Sequence, residues 1–229
     1  MAVRPVFIPT LSGSILSVTK DFDFLWSSGM ARVQKQKSIR ALHAAANAQG
    51  LDSILEISSK SEDELGVALS AFNLRIRTKK LAKEFTVESA FQASKVFEHG
   101  GPYVDLLYKE SMDSKKDIRL KESGNLMGFR FYNTTWSLIP RTAFYDWLYL
   151  SALNQNKKLA KHLLNFDGFT DIEFNPQKSI NCQARAAALY VSLTKRHMLE
   201  EVLSTQEKFL SILSPHYGME NYNIQSKLL

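Results

Sequence analysis

The spacing of hydrophobic and polar positions changes several times along the chain. Near the N-terminus, "RPVFIPT" and "SILSVTKDFDFLW" are rich in Val, Ile, Phe and Thr, with a Gly-containing turn, "LSGS", between them. Val18, Phe22 and Phe24 stand apolar among polar neighbours, which predicts half-buried strands before Trp26. From Gln34 the period lengthens. "QKQKSIRALHAAANAQG" reads as a helix ending at Gly50, with Ile39, Leu42, Ala45 and Ala46 as its apolar stripe. "SILEI" and "NLRIRT" are short strand candidates. Between them, "SKSEDELGVALSAF" offers Ser61 as an N-cap with Glu64 three residues on, a capping-box pattern.

"FTVESAFQASKVFEHGGP" reads as an amphipathic helix that starts near Thr86 and stops at two glycines and a proline. Val87, Ala90, Phe91, Ser94 and Phe97 form its packed face. Beside that face Glu88, Gln92, Lys95 and His99 follow a helical spacing, as either a solvated stripe or the wall of a cleft. "SMDSKKDIRLKESG" reads as a charged surface helix. "PRTAFYDWLYLSALNQN", "KKLAKHLLNF", "NPQKSINCQARAAALYVSLTKRH" and "MLEEVLSTQEKFLSIL" read as further helices, and "SPHYGMENYNIQSKLL" as a loose tail. The pattern predicts a mainly α fold: a single helical domain over 1–229 with a small N-terminal β element. An N-terminal β/helical extension covers about 1–65, a core about 69–193, and a C-terminal helix and tail 194–229.

Composition narrows the function. With 229 residues, 45% hydrophobic and 23% charged, the chain has the balance of a soluble globular protein. A net charge of +6 favours an anionic partner such as nucleic acid, a nucleotide or a phosphorylated ligand. Cys182 is the only cysteine, so an intrachain disulfide and a multi-thiolate zinc site are excluded. No apolar run approaches a membrane span, "MAVRPVFIPT" lacks the apolar core of a secretory signal, and a cytoplasmic protein is expected. Walker, GxGxxG, HExxH and GxSxG patterns are missing. The five histidines show no metal spacing, so neither a metal nor a cofactor is expected.

The chemistry that remains lies in carboxylates, lysines and aromatics. Lys35 and Lys37 open a helix, where they form either a basic surface patch or an anion-binding or nucleophilic amine. Trp136 sits in a polar stretch with Asn133, Thr134 and Thr135, as a candidate for stacking on a base or sugar. Asp171 and Glu173 precede a helix. They belong either to an irregular strand or to a pair of acids suited to general acid/base work on a glycosidic bond.

"LSAFNL", "TVESAFQASKVF", the Trp136 segment and "NCQARAAALYVSL" together resemble the NADAR family, also called YbiA-like, from about Leu69 to Leu193. Thr86-Val87-Glu88, then Phe91-Gln92-Ala93 and Lys95, is similar to its TVExxFQAxKF signature. The front third, "QKQKSIRALH" and "ILEISSKSEDELG", resembles the subgroup that acts as antitoxin beside DNA ADP-ribosyltransferase toxins of the DarT class. One departure stands out. The family's Asp followed by Trp-Gly is replaced by "TDIEFNPQKSIN", which leaves the second acid open between Asp171 and Glu173.

The resemblance implies a YbiA-like fold and an N-glycosidase that removes ADP-ribose from the guanine amino group of ADP-ribosylated DNA. Its partners would be that DNA, ADP-ribose and a cognate toxin. It implies catalytic roles for Glu88 and for Asp171 or Glu173. Attack at the ribose C1 would come from water or from a lysine, Lys35 ahead of Lys37. Lys37, Gln92, Lys95, Trp136, Asn181 and Arg185 would position the substrate. Two other functions stay open: an N-glycosidase acting on aminopyrimidine ribosides, and a non-catalytic module that binds ADP-ribose or DNA.

Overall fold

The computed structural model describes residues 1–78, 83–177 and 179–226, with side chains described as far as residue 218. The expected mainly helical fold is overturned. Among the described residues, nine strands in three sheets alternate with helices, giving a mixed α/β architecture. Most of these strands are three residues long. That is too short to show a period of two, so the sequence pattern hid them.

The N-terminal hairpin is present as expected, with β1 (Ala2–Pro9) antiparallel to β2 (Ser17–Phe24). It is not a separate element. Two distant strands, β3 (Ile54–Glu56) and β9 (Gly168–Thr170), extend it into a four-stranded sheet of order β2-β1-β9-β3. β9 runs antiparallel to β1 and parallel to β3. The C-terminal ends of β2, β9 and β3 therefore lie along one sheet edge.

Alternation along β1 sends side chains to two cores. Val6 joins Phe22, Phe24 and Ile172 beneath α1 (Arg32–Asn47), which contributes Ile39, Leu42 and Ala46. Phe7 faces the larger core on the other side of the sheet, with Leu55 and Phe169. That core is built around α6 (Ala143–Gln155) and α8 (Gln183–Lys195). α8 is buried from Gln183 to Leu193, and its alanines at 184 and 186–188 permit close approach to α6 and β1.

Several boundaries differ from the sequence pattern. α2 (Glu64–Ala68) is capped by Asp63, whose Oδ1 accepts from Leu65 N at 2.8 Å; Ser61 Oγ instead accepts from Asp63 N one turn earlier. β4 (Arg75–Arg77) pairs with β5 (Glu84–Thr86), which leads into α3 (Val87–Ala93). Thr86 caps α3 as expected, its Oγ1 accepting from Ser89 N at 3.1 Å. The helix does not reach the glycines. Ser94 caps it and bonds back to Ala90 O, and the chain then pairs as β6 (Lys95–Phe97) with β7 (Leu126–Phe131). Gly100 and Gly101 close a turn against that strand. Phe97 N donates to Gly100 O, and Gly101 has a φ of 82° with Lys95 O where a Cβ would sit.

β8 (Thr134–Trp136) completes this third sheet. The expected surface helix splits into α4 (Ser111–Lys116) and α5 (Arg119–Glu122), after a 3-10 turn over Val104–Tyr108. α7 (Lys157–Leu163) follows α6. The helix read from Asn175 opens at Gln183, with Cys182 at its N-cap. After α9 (Leu199–Val202), α10 (Gln206–Ser226) runs through most of the expected loose tail, and His216 and Tyr217 are buried.

Candidate functional site

α3 is seven residues long and buried throughout, because β5, the 3-10 turn over Val104–Tyr108, α4 and α6 surround it. That burial takes in Glu88 and Gln92, one turn apart, with Gln92 Nε2 donating to Glu88 Oε1 at 2.9 Å. The other oxygen of this amide, Gln92 Oε1, is buried without a hydrogen-bond partner among the described residues. Lys115, from α4, brings its ammonium to 4.0 Å from Glu88 Oε1 and over the ring of Phe72. Lys95 has left the helix but remains beside Glu88, over the ring of Phe91. Burial lowers the pKa of its amine, with the nearby Lys115 adding to that and Glu88 opposing it. His99 does not belong to this group. It sits on the β6–β7 connection, where its backbone N bonds Ser123 O.

A second acidic group lies at the sheet edge. Glu56 ends β3 and is buried; Asp171 follows β9. Glu56 accepts from Thr170 Oγ1 at 2.7 Å and from Ile172 N at 2.9 Å. His43 of α1 bonds the same Thr170 hydroxyl at 2.8 Å, and burial lowers its imidazole to about 4. Asp171 Oδ1 accepts from the backbone N–H groups of Glu173 and Phe174 at 3.0 and 3.2 Å. Burial first, and then the Glu56 carboxylate, push Asp171 up to about 8; burial also raises Glu56.

The two halves are joined by one side chain and one backbone unit. Gln183, at the start of α8, donates from Nε2 to Asp171 Oδ2 at 3.1 Å and to Ile57 O at 2.6 Å. Its Oε1 accepts from Ala71 N at 2.7 Å, and Ala71 O accepts from Glu88 N at 2.9 Å. Tyr145 of α6 lies between them. Its ring meets Phe91 edge-on at 5.3 Å, and its buried hydroxyl is raised by burial and then by Glu88, with Asp171 contributing less. "LSAFNL" thus forms the floor between a carboxylate flanked by ammonium groups and a carboxylate flanked by carboxyl groups.

The remaining expected residues divide by position. Lys35 lies on the inner side of α1 with its ammonium 4.9 Å from the centre of the Trp26 ring, just past the C-terminal end of β2. That is the sheet edge at which Asp171 stands. Arg4 lies over the same ring at 5.3 Å, and Arg32 reaches from the start of α1 to Ser61 O at 3.1 Å. Lys37 is exposed one helical step away. Glu173 is exposed and meets Ser59 Oγ at 3.4 Å. Asn181 precedes α8, with its Oδ1 buried and unbonded among the described residues.

Two residues stand apart from this group. Trp136 is not in a polar loop: it ends β8, is 2% exposed, and packs on Trp147, Phe144 and Phe209 at 5.2–5.8 Å. Asn133 lies in the turn before the strand and Thr135 faces outward on it, which gave the sequence its loop-like look. Arg185 turns into the interior, where its Nη2 holds both oxygens of Asp146 at 2.9 and 3.1 Å. Glu56, Gln183, Lys115 and Tyr145 were not singled out from the sequence. Only Glu56 carried a usable signal there, as an acid at the end of an apolar strand.

A family model described as DarT1-associated NADAR antitoxin matches residues 2–223. Among curated proteins, none matches the chain.

Proposed function

Because the chain belongs to the DarT1-associated NADAR antitoxins, and so serves as an antitoxin in a DarT toxin system, we propose that it is an N-glycosidase that frees guanine bases in DNA from ADP-ribose. The observation that carries this reading is the pair of unlike carboxyl groups, Glu88 and Asp171, joined through Ala71 and Gln183. Two carboxyl groups in different environments suit the cleavage of a glycosidic bond, one donating a proton and the other acting as carboxylate.

In this reading Asp171, whose half-buried carboxyl retains its proton up to about pH 8, gives that proton to the departing guanine as the bond from C1 of the ribose to the amino nitrogen breaks. The bonding electrons leave with the base. Water supplies hydroxide to C1, and Glu88 orients the ribose and receives the other proton. Gln92 Oε1, without a partner among the described residues, accepts from a ribose hydroxyl. Lys95, Lys115 and Arg32 meet the pyrophosphate. Trp26 and Phe72, each already under a cation, are aromatic surfaces on which a base could stack. If an amine attacks C1 in place of water, Lys35 Nζ displaces the guanine, which takes the Asp171 proton while Glu88 receives the proton the amine loses. The ribose ring then opens to a Schiff base that water hydrolyses to free ADP-ribose.

The test is release of free ADP-ribose from an oligonucleotide carrying ADP-ribosylated guanine, run beside aminopyrimidine ribosides. Release from the oligonucleotide alone supports the reading. Turnover of the ribosides alone makes the protein a small-molecule glycosidase, and binding without turnover makes it a sequestering module. Borohydride added during turnover decides the mode of attack. Lysine attack predicts a trapped adduct that Lys35→Ala abolishes and Lys37→Ala retains; attack by water predicts no adduct.

A further inference from the structure

Glu56 has no counterpart among the residues so far given chemical roles, yet its carboxylate shapes the surroundings of Asp171 more than any other side chain does. Its two oxygens accept from Thr170 Oγ1 and from Ile172 N, the residues immediately before and after Asp171. One carboxylate therefore grips the chain on both sides of the acid. The strand pairing continues the hold, with Ile57 N donating to Thr170 O at 2.8 Å. Gly66 of α2 packs so closely on the carbonyl of Glu56 that a Cβ there would overlap it, which seats the end of β3 from below.

The hold also has an electrical side. The partners of Glu56 in this network are neutral hydroxyls and N–H groups: Thr170, Ile172 and Ser58, with His43 behind Thr170. Asp171 is faced by Glu56 from β3, by Glu173 from its own loop, by Tyr145 and Tyr149 from α6, and by Cys182 at the α8 cap with Arg185 beyond it. Glu56 is bonded to the residues on either side of Asp171, and two carboxyl groups gathered on so short a stretch of chain do not both ionise readily, because each charge opposes the other. The hydroxyl chain from Glu56 through Thr170 to His43 lets Glu56 hold or release a proton without losing its bond to Thr170. When Glu56 is ionised, Thr170 donates to it and His43 Nε2 donates to Thr170. When Glu56 is protonated, the chain can reverse, since neutral imidazole also accepts.

We propose that Glu56 is a positioning residue for the glycosidase reaction: it clamps both neighbours of Asp171 and, by sharing its buried site, keeps on Asp171 the proton that the departing base receives. This rests on the reading of Asp171 as the acid. Glu56→Gln separates the two parts, because glutamine has the same shape and can still bond Thr170 Oγ1 and Ile172 N but carries no charge.

The experiment follows the Asp171 carboxyl by carbon-13 NMR as pH is changed, in the wild type and in Glu56→Gln, beside the pH profile of ADP-ribose release from the modified oligonucleotide. Glu56→Gln is expected to lower the Asp171 midpoint by at least about one pH unit. The alkaline limb of kcat should move down with it, while KM stays within about twofold, since Glu56 touches no substrate. In the wild type alone, the Asp171 and Glu56 signals should each show two inflections, a readout that needs no variant. An Asp171 midpoint unchanged by Glu56→Gln overturns the proposal. So does a moved midpoint with an unmoved rate profile, which would make Glu56 a clamp only. No release by the wild type overturns the glycosidase reading instead, and the titration, which needs no turnover, then decides whether the two carboxyl groups share a proton.

Discussion

Glu88, buried, and Asp171, half-buried, stand on the same floor, and their surroundings are opposite. Glu88 is carried by a helix, bonded to an amide and flanked by Lys95 and Lys115. Asp171 is carried by an irregular turn after a three-residue strand, and its nearest charged neighbours are Glu56 and Glu173. Ammonium groups stabilise a negative charge beside them, whereas carboxyl groups oppose one. Residue type alone makes the two interchangeable. The neighbourhood tells them apart, and in the proposed reaction Asp171 is the acid.

The sharpest way to break this contrast is to remove each carboxyl separately. Glu88→Gln and Asp171→Asn should each lower kcat at least about a hundredfold, the scale of losing a positioned acid or base, with the fold and ligand binding retained. Equal loss of substrate binding in both variants would show that the two groups act alike. Release assays beside calorimetric binding of ADP-ribose make the comparison.

The pH profile comes next. Asp171 stands at about 8, so its proton is present below that value and lost above it. The wild-type rate should therefore fall roughly tenfold per pH unit well above pH 8. That limb should persist in the residual activity of Glu88→Gln and vanish in Asp171→Asn. Stability carries the same sign. The folded value lies above the ordinary 3.8, so the stabilising contribution is full below about pH 4 and is lost as pH rises through about 8. Urea unfolding from pH 5 to 9 should show this slope in the wild type and a smaller one in Asp171→Asn.

Smaller effects sharpen the picture at its rims. Lys115 is half-exposed and 4.0 Å from Glu88, so Lys115→Ala should raise KM by roughly threefold to tenfold, in keeping with a weak, solvated ion pair, and leave the alkaline limb in place. Glu173 is exposed, and Glu173→Gln should change the rate by less than about threefold. A loss as large as that of Asp171→Asn would move the acid role to Glu173.

Much of this site was legible one piece at a time. The Thr86 cap, the Glu88–Gln92 pair and the helix containing Gln183 all follow from local spacing, which depends on residues three or four apart. The exit of the chain at Ser94 was hidden, because Lys95-Val96-Phe97 continues a helical pattern equally well, and its strand partner lies some thirty residues on, at Leu126–Phe131. The partnership of Glu56 with Asp171 was hidden more deeply. It depends on β3 and β9 pairing in parallel across more than a hundred residues, and no local period encodes that. Trp136 misled for the converse reason: its polar neighbours belong to a turn and to the outer face of a short strand whose inner face ends in core.

The buried pair Asp146–Arg185 has a consequence for how such a sequence can drift. Asp146 is fully enclosed, takes two bonds from Arg185 and a third from Tyr217 at 3.1 Å, and so ties α6, α8 and α10 at one point. Changing either charged member alone takes from the other a bonded, oppositely charged neighbour in the interior, a loss on the order of a few kcal/mol, whereas exchanging both for apolar residues of similar volume is often neutral or stabilising. Descent from this sequence therefore meets a valley with firm ground on both sides. Positions 146 and 185 should change together more often than singly, and a lineage that has crossed would carry an apolar pair that does not readily step back one residue at a time.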